Sequence, residues 1–427
     1  MRVLLLGASG FIGRELFAAL AARGHRVVAA VRDPKRAPPF ASEPAIAIDL
    51  NRDTDPGAWH ARLEGIDAVV NCAGILQGTS RQSIEAIHRD APIALFKACE
   101  TARVRRVVQI SAISATAQAR TAYAATKLAA DDYLRSTPLE WVVLRPSLVH
   151  ARGAFGGTAL FRGMAALPFA VPLAGDGAEL FQPVHIGDLA ATLILALESD
   201  RLVRQTVDPV GPEALSIRRI LADYRRWLGF GEARFARMPE GLVRLACRIG
   251  DRIGGPLNST SLAQMKHGNT GDAGAFTAAT GITPRAWQES LAAEPAHTQD
   301  RWHARLYYAR PALRYALAFL WLFSGVTGLL ELRSWAILLV SRLAIGIGTA
   351  LTVLALACLA DLLIGVLLLR RWNPRVLALV QAGLIAAYTA VATVLWPSLW
   401  FEPLGPIFKN VPIFVAVLAW AAIEDDR

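Results

Sequence analysis

Paired cysteines are missing from this sequence: Cys72, Cys99, Cys247 and Cys358 stand far apart, with no C-x-x-C pair and no metal-ligand spacing. Scattered thiols suit a reducing compartment, and they exclude a disulfide-stapled scaffold or a cysteine-held metal. A secretory leader is not expected either. Met1 opens directly on an apolar strand, without a basic start or a small-residue cleavage site, so the N-terminal part is expected to stay cytoplasmic. Charge is scarce at 19%, against about 25% in an ordinary globular chain. The formal net charge of +10 comes from dispersed arginines, with no aromatic-interleaved basic stripe, so nucleic acid is not expected as a partner. Attraction to anionic lipid headgroups explains the excess better, since +8 of it lies in the first 310 residues.

Apolar residues are what the chain has in quantity: 54%, with a mean hydropathy of +0.35. The excess is uneven. Met1 to Arg310 has globular composition, whereas the sequence from Pro311 onward is nearly all apolar, so two regimes share one chain of 427 residues.

The first regime is organised around MRVLLLGASGFIGR. It reads as a strand, a turn set by Gly7, Gly10 and Gly13, and a helix opening at Phe11. Such a turn lets backbone N–H groups and the positive end of the helix meet a pyrophosphate, although G-x-x-G-x-x-G differs by one residue from the G-x-G-x-x-G fingerprint. Gly7, Ser9, Gly10, Phe11, Ile12 and Gly13 are therefore the expected phosphate cradle. A second strand over 25–31 ends at Arg32, where an acid would favour NAD and an Arg accommodates the 2′-phosphate of NADP. NADP(H) is favoured over NAD(H).

Short strands over 45–49, 66–70 and 107–110 follow, with a helix from about 83 to 102 before the last of them. Asp49 and Leu50 are expected beside the adenine, and the small run Cys72-Ala73-Gly74 close to the cofactor. Strands alternating with helices predict an α/β fold with a doubly wound parallel sheet and ligands at the carboxyl ends of its strands. Ser111 sits at such an end, and Tyr123 and Lys127 lie four residues apart on one face of a predicted helix. An ammonium there favours phenolate and is expected to lower the tyrosine pKa toward working pH.

Through GASGFIG, NCAG at 71–74, Ser111 and YAATK at 123–127, the first 290 or so residues resemble the short-chain dehydrogenase/reductase superfamily. LRPSLVHARG at 144–153 and FQPVHIGDLA at 181–190 are similar to its extended and atypical branches, which include epimerase-like proteins and relatives of an accessory subunit of respiratory complex I. The resemblance implies that Ser111 bonds a substrate oxygen, that Tyr123 moves the proton, and that Lys127 binds ribose hydroxyls and tunes Tyr123. These families often carry an Asn before the fifth strand that supports the Lys through water. HRDAPIALF puts Asp90 at that place. His185 and Asp188 read as structural, with Asp188 as a helix cap, and 151–172 as a glycine-rich loop and helix over the nicotinamide end. Residues 205–290 read as a small mixed substrate lobe whose helix over 242–253 is basic and amphipathic.

After a basic, aromatic joint at 295–311, four apolar segments at about 312–330, 343–369, 376–396 and 407–423 predict an all-α transmembrane domain of four helices. Arg301, Arg305, Arg310 and Arg314 before the first span, and Arg370, Arg371 and Arg375 between the second and third, put both termini on the cytoplasmic side. LFSGVTGLLEL, ALACLADLLIGVLLL and FEPLGPIFKNVPIF resemble DoxX-like membrane domains. Asp361, deep in the second span, reads either as a proton or quinol contact or as a helix-to-helix hydrogen bond, for instance to Tyr388.

The domains expected are 1–294, nucleotide-binding; 295–311, interfacial; and 312–427, transmembrane. The expected activity is a membrane-anchored NAD(P)H-dependent oxidoreductase of a hydrophobic, lipid- or quinone-type carbonyl or alcohol. Two alternatives stand beside it: a catalytically silent nucleotide module with a membrane protein partner, and a sugar-nucleotide epimerase. No metal is expected.

Overall fold

The structure is a computed structural model describing residues 1–39, 41–79, 81–253, 257–266, 269–403 and 405–424. Three stretches used above, 254–256 and 267–268 of the small lobe and Leu404 of the DoxX-like motif, lie outside the described residues, as do residues 425–427. The chain divides into two compact units, Met1–Ala304 and Arg305–Arg427.

In the first unit, β1 (Arg2–Leu6), β2 (Arg26–Val31), β3 (Ile46–Ala47), β4 (Ala68–Asn71), β5 (Arg106–Ile110), β6 (Glu140–Leu144) and β7 (Gln205–Val207) form one parallel sheet in the order β7-β6-β5-β4-β1-β2-β3. Both faces are covered, as a parallel sheet requires. Side chains alternate along β1: Val3 and Leu5 pack with Leu16, Phe17 and Leu20 of α1 (Phe11–Ala22), whereas Leu4 and Leu6 pack with Leu95 and Phe96 of α2 (Ala91–Ala102) and Leu134 of α3 (Ala122–Ser136). Because β1 pairs with both β2 and β4, the strand order reverses between β1 and β4. A crevice therefore opens beyond the carboxyl ends of these two strands, which is where an open α/β sheet binds its ligand.

The predicted helix over 83–102 breaks into a π-helical turn, Ala86–Asp90, followed by α2. Pro92 supplies the reason: it has no N–H to give the carbonyl four residues back, that of His88. β7 was not anticipated; at three residues, Gln205–Val207, it carries no period. A small lobe gathers Phe161, Val171, Leu173, Phe181, Tyr224, Leu228 and Trp287 into a separate core.

Among the described residues, three helices are long and apolar enough to cross a membrane: Thr298–Leu330, which begins in the first unit, Ile347–Leu369 and Pro374–Leu395. The fourth expected span is the shorter helix Asn410–Ile423, and a nine-residue helix, Leu332–Val340, follows the first span. The joint expected at 295–311 is helical from Thr298 onward, with Pro311 inside the helix. Small residues let these helices approach closely. A Cβ on Gly365 would lie 2.5 Å from Leu322, and one on Gly325 2.7 Å from Leu362. Asp361 accepts from Ser324 Oγ at 2.8 Å and from Tyr388 OH at 3.0 Å, so it joins three helices by the expected helix-to-helix bonds.

Candidate functional site

Each glycine of the first turn is needed for a different reason. Gly7 has φ +78°, in the left-handed region, and a Cβ there would sit 2.9 Å from Ala73 N, at the end of β4. At Gly13 a Cβ would lie 2.0 Å from the Gly7 carbonyl oxygen, so only glycine lets α1 start this close to β1. Gly10 is more tolerant, its Cβ falling 3.2 Å from the same oxygen. Gly10 caps α1 with no side-chain hydrogen bond, and the first N–H groups of a helix have no partner within it. The N–H groups of Phe11, Ile12 and Gly13 are thus available to an anion. Arg14 Nε fixes the turn by donating to Ser9 O at 3.0 Å.

Around this cradle, Arg32 is exposed just past the end of β2, and the Asp33 carboxylate turns away to accept from Lys35 N at 3.0 Å. Arg32, Lys35 and Arg36 are left as exposed cations. Asp49 takes hydrogen bonds from Asn51 and an ion pair from Arg52 at 3.7 Å, with Leu50 half-buried beside it. Cys72 Sγ donates to Leu6 O at 2.8 Å, tying the ends of β1 and β4. Burial pushes that thiol up to about 12, away from the reactive thiolate.

Thr121 caps α3 by accepting from Ala124 N at 3.2 Å, which fixes where Tyr123 falls. Lys127 is buried, its Nζ 5.9 Å from the Tyr123 ring centre and donating to Ile110 O, at the end of β5, at 3.1 Å. A Cβ on Gly74 would come within 3.5 Å of this Nζ, so β4, β5 and α3 meet at the ammonium.

Two expectations fail here. Ser111 is buried and its hydroxyl donates to Asp131 Oδ2 at 2.5 Å, so its single hydrogen is not free for a substrate oxygen. The Tyr123 hydroxyl, expected to fall, is pushed up to about 12 by burial and then by Asp131, while burial holds Lys127 below the ordinary lysine value. Burial and Asp131 set the direction, and Tyr123 stays protonated at neutral pH.

Asp131 and His88 were missed. Asp131 is fully buried, and its carboxyl is raised to about 6 by burial against the opposing pull of Ser111 and Lys127. Its signal was available: Tyr123, Lys127 and Asp131 follow one another at four-residue steps along one face of α3. His88, carried by the π turn, packs edge-on against Tyr123 with ring centres 5.4 Å apart. Its Nε2 accepts from Ile75 N at 2.9 Å, so the proton of the neutral ring sits on Nδ1, 3.1 Å from Thr126 Oγ1. Burial and Lys127 press its pKa down to about 2. Asp90, expected near the Lys, instead pairs with Arg89 at 2.7 Å on the surface.

The loop at 151–157 returns to the glycine turn, where Phe155 stacks on Phe11 at 6.4 Å. His185 and Asp188 are structural, but the cap is His185, which accepts from Gly187 N at 3.1 Å, while Asp188 holds Arg285 at 3.1 Å. A cleft of about 840 Å³ lies at the other, amino-terminal edge of the sheet, among Met1, Arg23, Arg105 and Arg106, whose guanidinium groups are engaged by Glu140, Glu198 and Asp200.

Family comparisons agree with this division. A family described as NAD(P)H-binding matches residues 7–162, and the DoxX-like family matches residues 318–418. The 3-diazoavenalumate denitrifying reductase of a Streptomyces species is 31% identical over 258 residues, covering 54% of this chain and 82% of that protein. The chain belongs to the NAD(P)H-binding family. Its C-terminal part is a DoxX-like membrane domain. This NAD(P)H-binding chain is also 24% identical over 261 residues to ceramide reductase of Caulobacter vibrioides, covering 61% of this chain and 80% of that protein. It is 25% identical over 252 residues to the photosystem II assembly factor Ycf39 of Synechocystis, covering 57% and 72% respectively. Among solved structures, MoeE5 with UDP-glucuronic acid and NAD aligns at a TM-score of 0.55 and 22% identity over 68% of this chain and 97% of that one. The epimerase Mth375 of Methanothermobacter thermautotrophicus aligns at 0.57 and 14% over 72% and 93%. At such identities the shared property is the fold. The glycine cradle fits the family's cofactor, since α1 starts without a side-chain cap and its first N–H groups are left for a phosphate.

Proposed function

We propose that this chain is a membrane-held NADP(H)-dependent reductase of a hydrophobic, lipid-derived carbonyl. One observation carries the reading: half-buried Tyr123 and buried Lys127 share one face of α3, with the Lys127 ammonium against the end of β5 and Gly74, beside the switch point that holds the glycine turn. When bound, the nicotinamide supplies the hydride. The N–H groups at the start of α1 hold the pyrophosphate, and Arg32, with Lys35 and Arg36 beside it, receives the 2′-phosphate. Lys127 presents its ammonium to the ribose hydroxyls. Tyr123 donates its proton to the carbonyl oxygen as negative charge develops there, a role suited to a phenol that stays protonated at about 12. Ser111 and Asp131 act behind Lys127, holding charge next to it.

The ceramide reductase relative supports a lipid substrate, and a membrane-embedded domain keeps the unit near substrates that partition into lipid. In this reading the reductase unit and both chain ends face the cytoplasm, supported by the arginines at 301–314 and 370–375. A reporter active only outside the cytoplasm should be silent at residue 372 and active at residue 400; the reverse pattern defeats the topology.

Tyr123→Phe decides the chemistry. With long-chain ketones in nanodiscs, turnover should fall by about 100-fold or more, with NADPH binding intact. A second reading, a silent nucleotide module that supports a membrane assembly, draws on the Ycf39 likeness and on a 26% identical relative, the Arabidopsis NADH dehydrogenase 1 alpha subcomplex subunit 9. It predicts tight NADPH binding, no turnover, and no effect of Tyr123→Phe.

A further inference from the structure

The helix Glu240–Ile253 has three faces rather than two. Val243, Cys247 and Gly250 are buried, while Leu242, Leu245 and Ile249 are 51%, 53% and 49% exposed. At about 3.6 residues per turn, these three side chains form one stripe. Arg244, Arg248 and Arg252, all exposed, line the far side of that stripe. From Arg237 to Lys266 there are five basic residues and two acidic ones. The acids are already engaged: Glu240 faces Lys266 at 3.2 Å, and Asp251 accepts from Ser259 and Gln77. An exposed leucine stripe edged by arginines is the composition of a helix lying in a headgroup layer, where the aliphatic side chains enter the acyl boundary and the guanidinium groups stay with lipid phosphates.

The same segment spans the candidate site. Gln77, three residues beyond Gly74, donates to Asp251 Oδ1 at 3.2 Å, and Gln264 Nε2 donates to Thr121 Oγ1, the cap of the Tyr123 helix, at 2.5 Å. Both rims of the Tyr123 site are thus tied to the segment whose outer face is membrane-seeking.

We propose that the helix Glu240–Ile253 inserts its Leu242–Leu245–Ile249 stripe into an anionic bilayer surface and forms the door through which an apolar-chain carbonyl passes from the lipid to Tyr123. The substrate half of this statement rests on the reductase reading above; the docking half does not. The charge of the arginine row selects an anionic surface, each basic residue close to such a surface being worth about a fivefold gain in partitioning.

Full-length protein carrying a photo-crosslinking amino acid at Leu245, or at Arg23 on the surface of the same unit as control, is reconstituted in nanodiscs of phosphatidylcholine with tagged phosphatidylglycerol. The expected result is a lipid adduct from position 245 at least about fivefold above that from position 23, reduced to the control level by Arg244→Glu/Arg248→Glu/Arg252→Glu. Equal yields from the two positions, or a protein–protein adduct in place of the lipid adduct, overturn the docking. NADPH binding reports the fold of every variant. Leu242→Ser/Leu245→Ser/Ile249→Ser should raise KM about tenfold for a ketone dissolved in the bilayer, with no change for a water-soluble short-chain ketone, loss of roughly 1.4 kcal/mol of binding being tenfold. An equal change for both ketones overturns the door. Lipid adducts without turnover of any ketone sink the reductase reading and leave the docking standing.

Discussion

The glycine turn yields a graded test because its three positions differ in the space they offer. A Cβ at Gly13 would sit 2.0 Å from the Gly7 carbonyl oxygen and 2.7 Å from its carbon, against the 3.4 Å at which ordinary contact begins. Both atoms are backbone, so no side chain can swing away. In Gly13→Ala, α1 must back off the turn by roughly 1.4 Å, the difference between 3.4 and 2.0 Å. Its first N–H groups then lose reach of the pyrophosphate. Hydrogen bonds to a charged group are worth about 1.5–3 kcal/mol each, so losing one or two of them weakens NADPH binding by about 10-fold to 10,000-fold. At Gly10 the same addition meets the oxygen at 3.2 Å, a shortfall of a few tenths of an ångström, and Gly10→Ala should cost less than about fivefold. Gly7→Ala carries a left-handed backbone cost of about 1–2 kcal/mol together with the 2.9 Å approach to Ala73 N, and falls between the two. Fluorescence titration of purified, nanodisc-held protein with NADPH reads the series, and circular dichroism confirms that helix content is unchanged. Wild-type affinity in Gly13→Ala, or equal losses in Gly10→Ala and Gly13→Ala, would show that phosphate is not held at this turn.

Arg32→Asp should invert the NADPH preference, weakening NADPH by about tenfold or more through loss of a charge-assisted bond while leaving NADH near its original affinity; unchanged ratios in paired titrations would remove Arg32 from the cofactor site. Asp131 is a carboxyl whose folded pKa of about 6 stands above its ordinary 3.8, so the native state holds its proton more tightly than the unfolded chain does. Its stabilisation is complete below 3.8 and is lost as pH rises through 6, about 3 kcal/mol in total. Asp131→Asn should flatten the fall in Tm between pH 4 and 7 relative to wild type; parallel curves would contradict this. Asp361→Asn keeps an acceptor for Ser324 or Tyr388 and should assemble with activity intact, whereas Asp361→Leu leaves both hydroxyls without it and lowers Tm, each such bond within a membrane being worth about 0.6 kcal/mol.

The fold was legible where period and punctuation coincide. The alternation of strands and helices, the turn at Gly7 to Gly13 and the i, i+4 spacing of Tyr123 and Lys127 all follow from local pattern. What the pattern hides is register and fate. A proline two positions into α2 converts the turn before it to a π turn and brings His88, not Asp90, to the tyrosine. The third strand shrinks to Ile46–Ala47 because it is an edge strand, paired with β2 alone, and Asp49 leaves it to bond with Asn51. The membrane helices were readable from length and composition, but the joint before them joins the first as one continuous helix.

Two buried carboxylates, Asp131 and Asp361, show why one acid escapes the sequence and the other does not. Asp131 and Asp132 are neighbours on a polar-looking helix, and composition alone reads both as solvated. The structure separates them: Asp132 pairs with Arg135 at the surface, while Asp131 turns inward to Ser111 with no exposure. Only the four-residue ladder from Tyr123 through Lys127 distinguishes them, and it acquires meaning once the tyrosine is assigned to the site. Asp361 was conspicuous from the start because its apolar neighbours make any acid stand out. The solvent around a segment sets how visible its polar residues are: in lipid a single acid announces itself, whereas in a water-soluble helix the buried acid must be found by its geometry.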